Sequence, residues 1–142
     1  MAISTVIDSG TVQAYLETHY LVGGDTPMTL RIGEANPILG QLHKASHAES
    51  SAFITACNPL GRIVDDKTNA ERSAMLAREL RGRGLKVVEG IGQHPSNAWP
   101  GEASLLVLRL SLEAAKALGN RYEQNAIVWC GTDTVPQLVL LR

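Results

Sequence analysis

The sequence predicts an α+β fold, a two-layer sandwich with a ferredoxin-like (split β-α-β) core and an N-terminal β-hairpin plus helix. Three observations carry this. Between Ala52 and Trp129 the patterned segments run strand, helix, strand, strand, helix, strand. Two right-handed crossovers in that order bring the four strands into one sheet with both helices on one face. The chain has 142 residues, 44% of them hydrophobic but only 4% aromatic, so one domain over residues 1–142 with an aliphatic core is expected.

The elements follow in order. Residues 1–11 carry little pattern. Residues 14–22 (AYLETHYLV) read as a strand rich in Tyr, Leu, Thr and Val; Gly23, Gly24 and Asp25 turn the chain, and MTLRI at 28–32 alternates as a second strand, giving a hairpin. Pro37 behind Asn36 suits the first turn of a helix with Asn as its cap, and Ile38, Leu39, Leu42 and Ala45 keep helical spacing. SAFITAC at 51–57 is a buried-type strand ended by Asn58, Pro59 and Gly61. A helix is expected over 68–83, capped by Thr68 or Asn69, with Ala70, Ala74, Leu76, Ala77 and Leu80 apolar and Gly82 and Gly84 at its end. LKVVEG at 85–90 is a strand, and a Gly- and Pro-punctuated connection follows. ASLLVLRL at 103–110 is the most hydrophobic strand; Ser111 caps a helix that carries Ala114, Ala115 and Leu118 and stops at Gly119. NAIVWC at 125–130 and QLVLL at 137–141 complete the set, the last as an edge strand.

Chain direction then gathers three polar loops, 58–72, 93–102 and 120–125, at one end of the sheet. It also puts Cys57 and Cys130 at opposite ends, on the order of 15 Å apart at ~3.3 Å per residue. A disulfide needs Cα atoms within about 7 Å, so two free thiols are expected.

Composition excludes several classes. A net charge of −1 with mixed signs argues against broad nucleic-acid binding. No apolar run reaches the ~18 residues of a membrane span, and the first ten residues lack a basic start and an apolar run. The expectation is a cytoplasmic protein that does not associate with membranes. Two cysteines cannot form a four-thiolate site, and His43 and His47, four apart on the expected second helix, read as a solvated face, so no metal and no cofactor is expected. Gly90-Ile-Gly92 follows a strand without the third glycine or helix of a dinucleotide fingerprint, and neither GXXXXGK[ST] nor GXSXG occurs.

The candidate site residues lie in the three loops. Asn58 is either an amide aimed at a ligand or a strand-ending turn residue. Asn69 and Arg72 open the long helix, where anions are favoured; Arg72 there runs against the dipole and serves a ligand or a carboxylate partner, or belongs to a solvated first turn in which Glu71 is the favourable charge. Trp99 is a stacking lid or a loop anchor. Glu102 begins a very apolar strand, as a desolvated acid–base group or as half of a salt bridge with Arg72 or Arg121. His94 shares the loop, as an acid–base candidate of the kind histidines supply or as an exposed loop residue. Gln124 and Asn125 enter a buried strand and need hydrogen-bond partners, which loop-to-loop ties would supply.

The blocks TACNPLG, NAER, GIGQHPSNAWPGEASLLV and LGNRYEQNAIVW resemble an uncharacterised bacterial family known as a domain of unknown function, serial number 3293, over about residues 15–140. Members often carry Trp where this chain has Cys57. The resemblance brings no activity or cofactor. It implies that Asn58, Asn69, Arg72, Trp99, Glu102, Gln124 and Asn125 stand in the family's signature blocks.

The functional expectation is a small binding or regulatory module taking a polar or anionic ligand, or a peptide, at the loops around Asn58, Trp99 and Gln124. One alternative is a metal-independent enzyme using Glu102 or His94 as acid–base group with Arg72 as anion anchor. The other is an assembly domain, a homodimer formed through the sheet or its edge at 137–141.

Overall fold

Seven strands make one antiparallel sheet in the order β2-β1-β4-β5-β3-β6-β7 in the computed structural model, which describes residues 5–142. In chain order the elements are α1 (Ser9–Glu17), β1 (His19–Val22), β2 (Met28–Leu30), α2 (Pro37–Ala45) and β3 (Ser51–Thr55). A 3-10 turn (Pro59–Gly61), α3 (Asp66–Gly82), β4 (Val87–Gln93), β5 (Glu102–Leu108), α4 (Leu112–Arg121), β6 (Ala126–Cys130) and β7 (Gln137–Leu140) complete it.

Strand alternation sorts the core into two clusters. Ala52, Ile54, Leu105, Val107 and Ile127 face α3 and α4, where Leu76, Leu80, Ala115 and Leu118 meet them. Phe53, Leu106, Leu108, Val128 and Cys130 face the other way and pack with Leu39 and Leu42 of α2 and with Tyr20, Val22, Met28 and Leu30. β5 is central and covered on both faces, so it reads as an unbroken apolar run. The expected hairpin extends the sheet through β1 and β2, while α2 covers the second face. Helices thus lie on both sides of the sheet, and the predicted two layers become three.

Other boundaries shift for identifiable reasons. Residues 14–22 do not form one strand: Asp8 caps α1 by accepting from the Gly10 and Thr11 amides, and the chain turns extended only after Thr18. Of the patternless residues 1–11, 1–4 lie outside the described residues. Asp65 caps α3, accepting from Thr68 N at 2.6 Å, which frees Asn69 for a different task. Gly119 does not stop α4; a Cβ there would come 2.6 Å from Leu141 Cδ1 and 2.8 Å from Ile127 Cγ2, so the glycine lets the helix lie close on the sheet. The caps at Asn36, with Pro37 in the first turn, and at Ser111 are as expected.

The loops after β3, between β4 and β5, and after α4 share one end of the sheet, joined by bonds described below. The cysteines lie apart and free: Cys130 pairs in register with Ser51 at the start of β3, and Cys57 lies beyond that strand's other end. His43 corrects the expected solvated face. It is 5% exposed, with Nε2 2.8 Å from Ser51 Oγ, and burial pushes its pKa down; His47 lies past the end of α2 at φ 53°.

Candidate functional site

Asn58 is the point where the three loops are tied together. It follows β3 in the left-handed region, φ 49° and ψ 65°, which asparagine tolerates better than most residues. Its amide N–H donates to Asn69 Oδ1 at 2.9 Å, and Asn69 Nδ2 donates back to Asn58 Oδ1 at 2.9 Å. Val64 N donates to the same Oδ1 at 3.1 Å. Asn58 Nδ2 is left to donate to Glu102 Oε2 at 2.7 Å. Each hydrogen-bonding atom of this buried amide is used.

The third loop is held from the other side. Leu60 N donates to Glu123 O at 2.7 Å. Gln124 Nε2 donates to Cys57 O and Tyr122 O, both at 3.1 Å. Arg72 donates through Nε to Ala56 O at 2.7 Å and through Nη2 to Tyr122 O at 2.6 Å, with Nη1 3.6 Å from Glu123 Oε1. Ala56 lies just past the end of β3 and Tyr122 is the C-cap of α4, so Arg72 clamps these two segments together.

A cavity of about 510 Å³ opens beside this junction, on the α2 side of the sheet and under α1. Phe53 and Tyr20 line it, edge to face with centroids 5.4 Å apart. Gly92 leaves it open: a Cβ there would meet Tyr20, Phe53 and Thr18 only at 3.8–3.9 Å. Its neighbour Gly90 is glycine for the opposite reason, since a Cβ would lie 2.3 Å from Leu21 O and 2.9 Å from Phe53 Cε2. The glycines that fail as a dinucleotide motif thus seat the Phe53 ring and leave space beside it.

Glu102 enters this cavity from the start of β5, on the same face as Leu106 and Leu108. Both recognised donors, Asn58 Nδ2 and Trp99 Nε1 at 3.5 Å, go to Oε2; Oε1 has no hydrogen-bond partner among the described residues. Burial raises the carboxyl's pKa, against the lowering effect of those two donors. The expected salt bridge is absent among the described residues, because Arg72 turns to Glu123 and Arg121 pairs with Glu79.

His94 also lines the cavity, but both its ring nitrogens are engaged. Nδ1 accepts from Ser96 N at 3.1 Å and Asn97 N at 3.0 Å, which assigns the proton to Nε2, 3.0 Å from Glu17 Oε1. The bond lowers the Glu17 pKa and ties the β4–β5 loop to the end of α1. Asn125 Nδ2 donates to Tyr15 Oη at 3.2 Å, and Asn125 Oδ1 accepts from Arg142 Nη1 at 2.9 Å.

Of the residues singled out in the sequence, Asn58, His94, Trp99, Glu102, Gln124 and Asn125 line this one cavity. Asn69 and Arg72 stand outside its lining and hold the residues that form it. Tyr15, Arg142, Phe53 and Gly92 line it and were not legible as site residues. The Asp8-Ser-Gly cap was a signal for α1, and so for Tyr15, outweighed by the strand-like run of Thr, Val and Tyr. No cluster of three or more His, Cys, Asp or Glu placed to hold a metal occurs among the described residues, and no helix of theirs is long and apolar enough to cross a membrane.

A family model described as protein of unknown function (DUF3293) matches residues 54–127, just over half of the chain, and the chain belongs to that family. The match begins at the end of β3 and takes in Asn58, Asn69, Arg72, Trp99, Glu102, Gln124 and Asn125. No curated protein and no solved structure matches the chain.

Proposed function

We propose that this member of the DUF3293 family binds a small polar molecule in the cavity under α1, with Glu102 as the anchor. The observation that carries this is the one-sided use of the Glu102 carboxylate: Oε2 is held by Asn58 and Trp99, while Oε1 is left without a partner among the described residues in a cavity with an aromatic wall. A partly desolvated carboxylate is costly unless a donor meets it, and the dense bonding around Asn58 holds it in place. The volume falls in the range of small-molecule sites. The strand order β4-β5-β3-β6, with α3 and α4 on one face, supports reading the core as ferredoxin-like. The cavity then belongs to the opposite face, where α1 and Tyr20 of β1 close over the sheet.

Gly92→Leu fills the cavity from its wall without a backbone clash. A thermal-shift screen of small polar metabolites is expected to give compounds that stabilise the wild type by several degrees and leave Gly92→Leu unmoved. A screen without such hits, or with hits equally strong on a folded Gly92→Leu, would overturn the reading.

A second reading has its own support. A cavity-lining carboxyl whose pKa is raised by burial, and which has one oxygen without a partner among the described residues, is suited to proton transfer. His94 is less suited, since its Nδ1 is held by two amides. If Glu102 is the acid–base group, a compound bound in the cavity is turned over by the wild type, and Glu102→Gln binds it without turnover. Turnover surviving in Glu102→Gln contradicts this.

A further inference from the structure

The cavity's lining carries opposite charges in two places, and that pattern defines a ligand class. At one place is Glu102, whose Oε1 has no hydrogen-bond partner among the described residues. At the other is the Arg142 guanidinium, bonded through Nη1 to Asn125 Oδ1, with no carboxylate partner among the described residues. The same Asn125 gives its Nδ2 to the Tyr15 oxygen, so the Tyr15 hydroxyl proton remains available to a ligand. One amide therefore orients two donors, a phenol and a guanidinium, which together suit a carboxylate. Phe53 and Tyr20 give the lining an apolar wall, and Gly92 adds no side chain beyond the backbone.

Tyr15 senses both charges. Burial raises its pKa, the Asn125 bond lowers it, and the Glu102 and Arg142 charges then act on it with opposite sign, raising and lowering it. Glu102 and Arg142 both line the same cavity, with Tyr15. They do not pair with each other among the described residues, so each is left to be answered by whatever enters.

We infer that the cavity takes a small amino-carboxylate, its ammonium group at Glu102 and its carboxylate at Arg142 and Tyr15, with an apolar spacer against Phe53. This rests on the cavity being a binding site and adds the charge pattern of its ligand. A singly charged molecule fits less well on electrostatic grounds. An amine alone would cover Arg142 without a counter-charge, and a carboxylate alone would bring a second anion beside Glu102. The larger cost falls on the partly buried Glu102 carboxylate, since Arg142 is exposed to solvent.

The test uses calorimetric titration of the full chain with L-phenylalanine, 4-aminobutanoate, 6-aminohexanoate and 8-aminooctanoate, which space the two charges progressively further apart. Singly charged counterparts are phenethylamine, 3-phenylpropanoate, hexylamine and hexanoate. At least one amino-carboxylate is expected to bind roughly tenfold or more tightly than its singly charged counterparts, since each charge-assisted bond contributes about 1.5–3 kcal/mol and 1.4 kcal/mol is tenfold. Glu102→Gln is expected to weaken the compounds that carry an ammonium group by about tenfold and to spare the simple carboxylates. Arg142→Gln, a change at an exposed residue, is expected to do the reverse. Gly92→Leu is expected to abolish binding of all of them. Singly charged compounds binding as tightly as the amino-carboxylates, or variants acting without regard to ligand charge, would overturn the inference. No Gly92-dependent binding by any of the eight also overturns it. The metabolite screen separates the two ideas: Gly92-dependent hits that are all neutral or singly charged refute this ligand class and leave the binding site standing, whereas a screen with no Gly92-dependent hit of any kind removes both.

Discussion

Replacing Asn58 by glycine keeps the backbone comfortable at φ 49° and removes only the side-chain amide. Three hydrogen bonds go with it: those from Val64 N and Asn69 Nδ2, and the one to the Glu102 carboxylate. At about 1 kcal/mol for each neutral bond and about 2 for the bond to a charged group, the loss is about 4 kcal/mol. For a chain of this size 1 kcal/mol moves the melting temperature by about 4 °C, so a drop of roughly 15 °C is expected. Asn58→Ala loses the same bonds and adds about 1 kcal/mol for placing a Cβ in the left-handed region. Asn58→Asp keeps the shape but sets a second carboxylate against Glu102, and its deficit is expected to shrink on acidification as the pair takes up a proton. Urea denaturation of the three variants, with slopes compared to the wild type, measures each difference. A cost below about 1 kcal/mol for Asn58→Gly would refute the role of this residue as the tie between the loops. Equal stability of the alanine and glycine variants would refute the backbone part of the reasoning.

Arg72→Ala is expected to lower stability by about 3 kcal/mol or more, since two bonds from a charged donor to the Ala56 and Tyr122 carbonyls are lost. Ligand affinity of the surviving folded protein is expected to change little; a large affinity loss with unchanged stability would make Arg72 a ligand contact instead. Glu102→Gln is expected to stabilise the fold at neutral pH. The raised pKa means that the folded state keeps a proton the unfolded chain has already released, so the wild type loses stability as pH rises from the ordinary carboxylate range through the folded value. The glutamine gains over the wild type above that window and not below it, and a gain equally large in acid would contradict the sign. Burial pushes the Cys130 thiol up to about 12, so native protein at pH 8 is expected to leave Cys130 unlabelled by a thiol reagent until denaturant is added. Rapid native labelling of Cys130 would show that this part of the core opens.

Local pattern made much of this architecture legible. The strand–helix–strand–strand–helix–strand order between Ala52 and Trp129 follows from β-branched and aliphatic runs broken by glycine, proline and asparagine, and chain direction alone brings the three loops to one end. Asn58, Glu102, Gln124 and Asn125 were found because polar residues at the edges of very apolar strands must be answered by something, and Trp99 because an indole stands in a polar, Pro-flanked loop. What sequence could not supply was distance. Arg72 read as an anion anchor because it stands in the first turns of a helix, but the carbonyls that occupy it come from residues 56 and 122, far away in the chain. His94 read as an acid–base candidate or an exposed loop residue, yet its loop folds back so that two of the loop's own amides hold Nδ1. Tyr15 and Arg142 lie 110 and 17 residues from the asparagine that orients them both. His43 read as solvated because its partner Ser51 is on a strand the helix pattern does not mention.

The most direct measurement is a ¹³C NMR titration of the Glu102 side-chain carboxyl in the free protein. A carboxylate walled into the cavity and held through one oxygen titrates with its midpoint clearly above the ordinary glutamate value of about 4.3. A midpoint at or below that value would mean that burial does not outweigh the Asn58 and Trp99 bonds, and the costly desolvation that the anchor depends on would be contradicted.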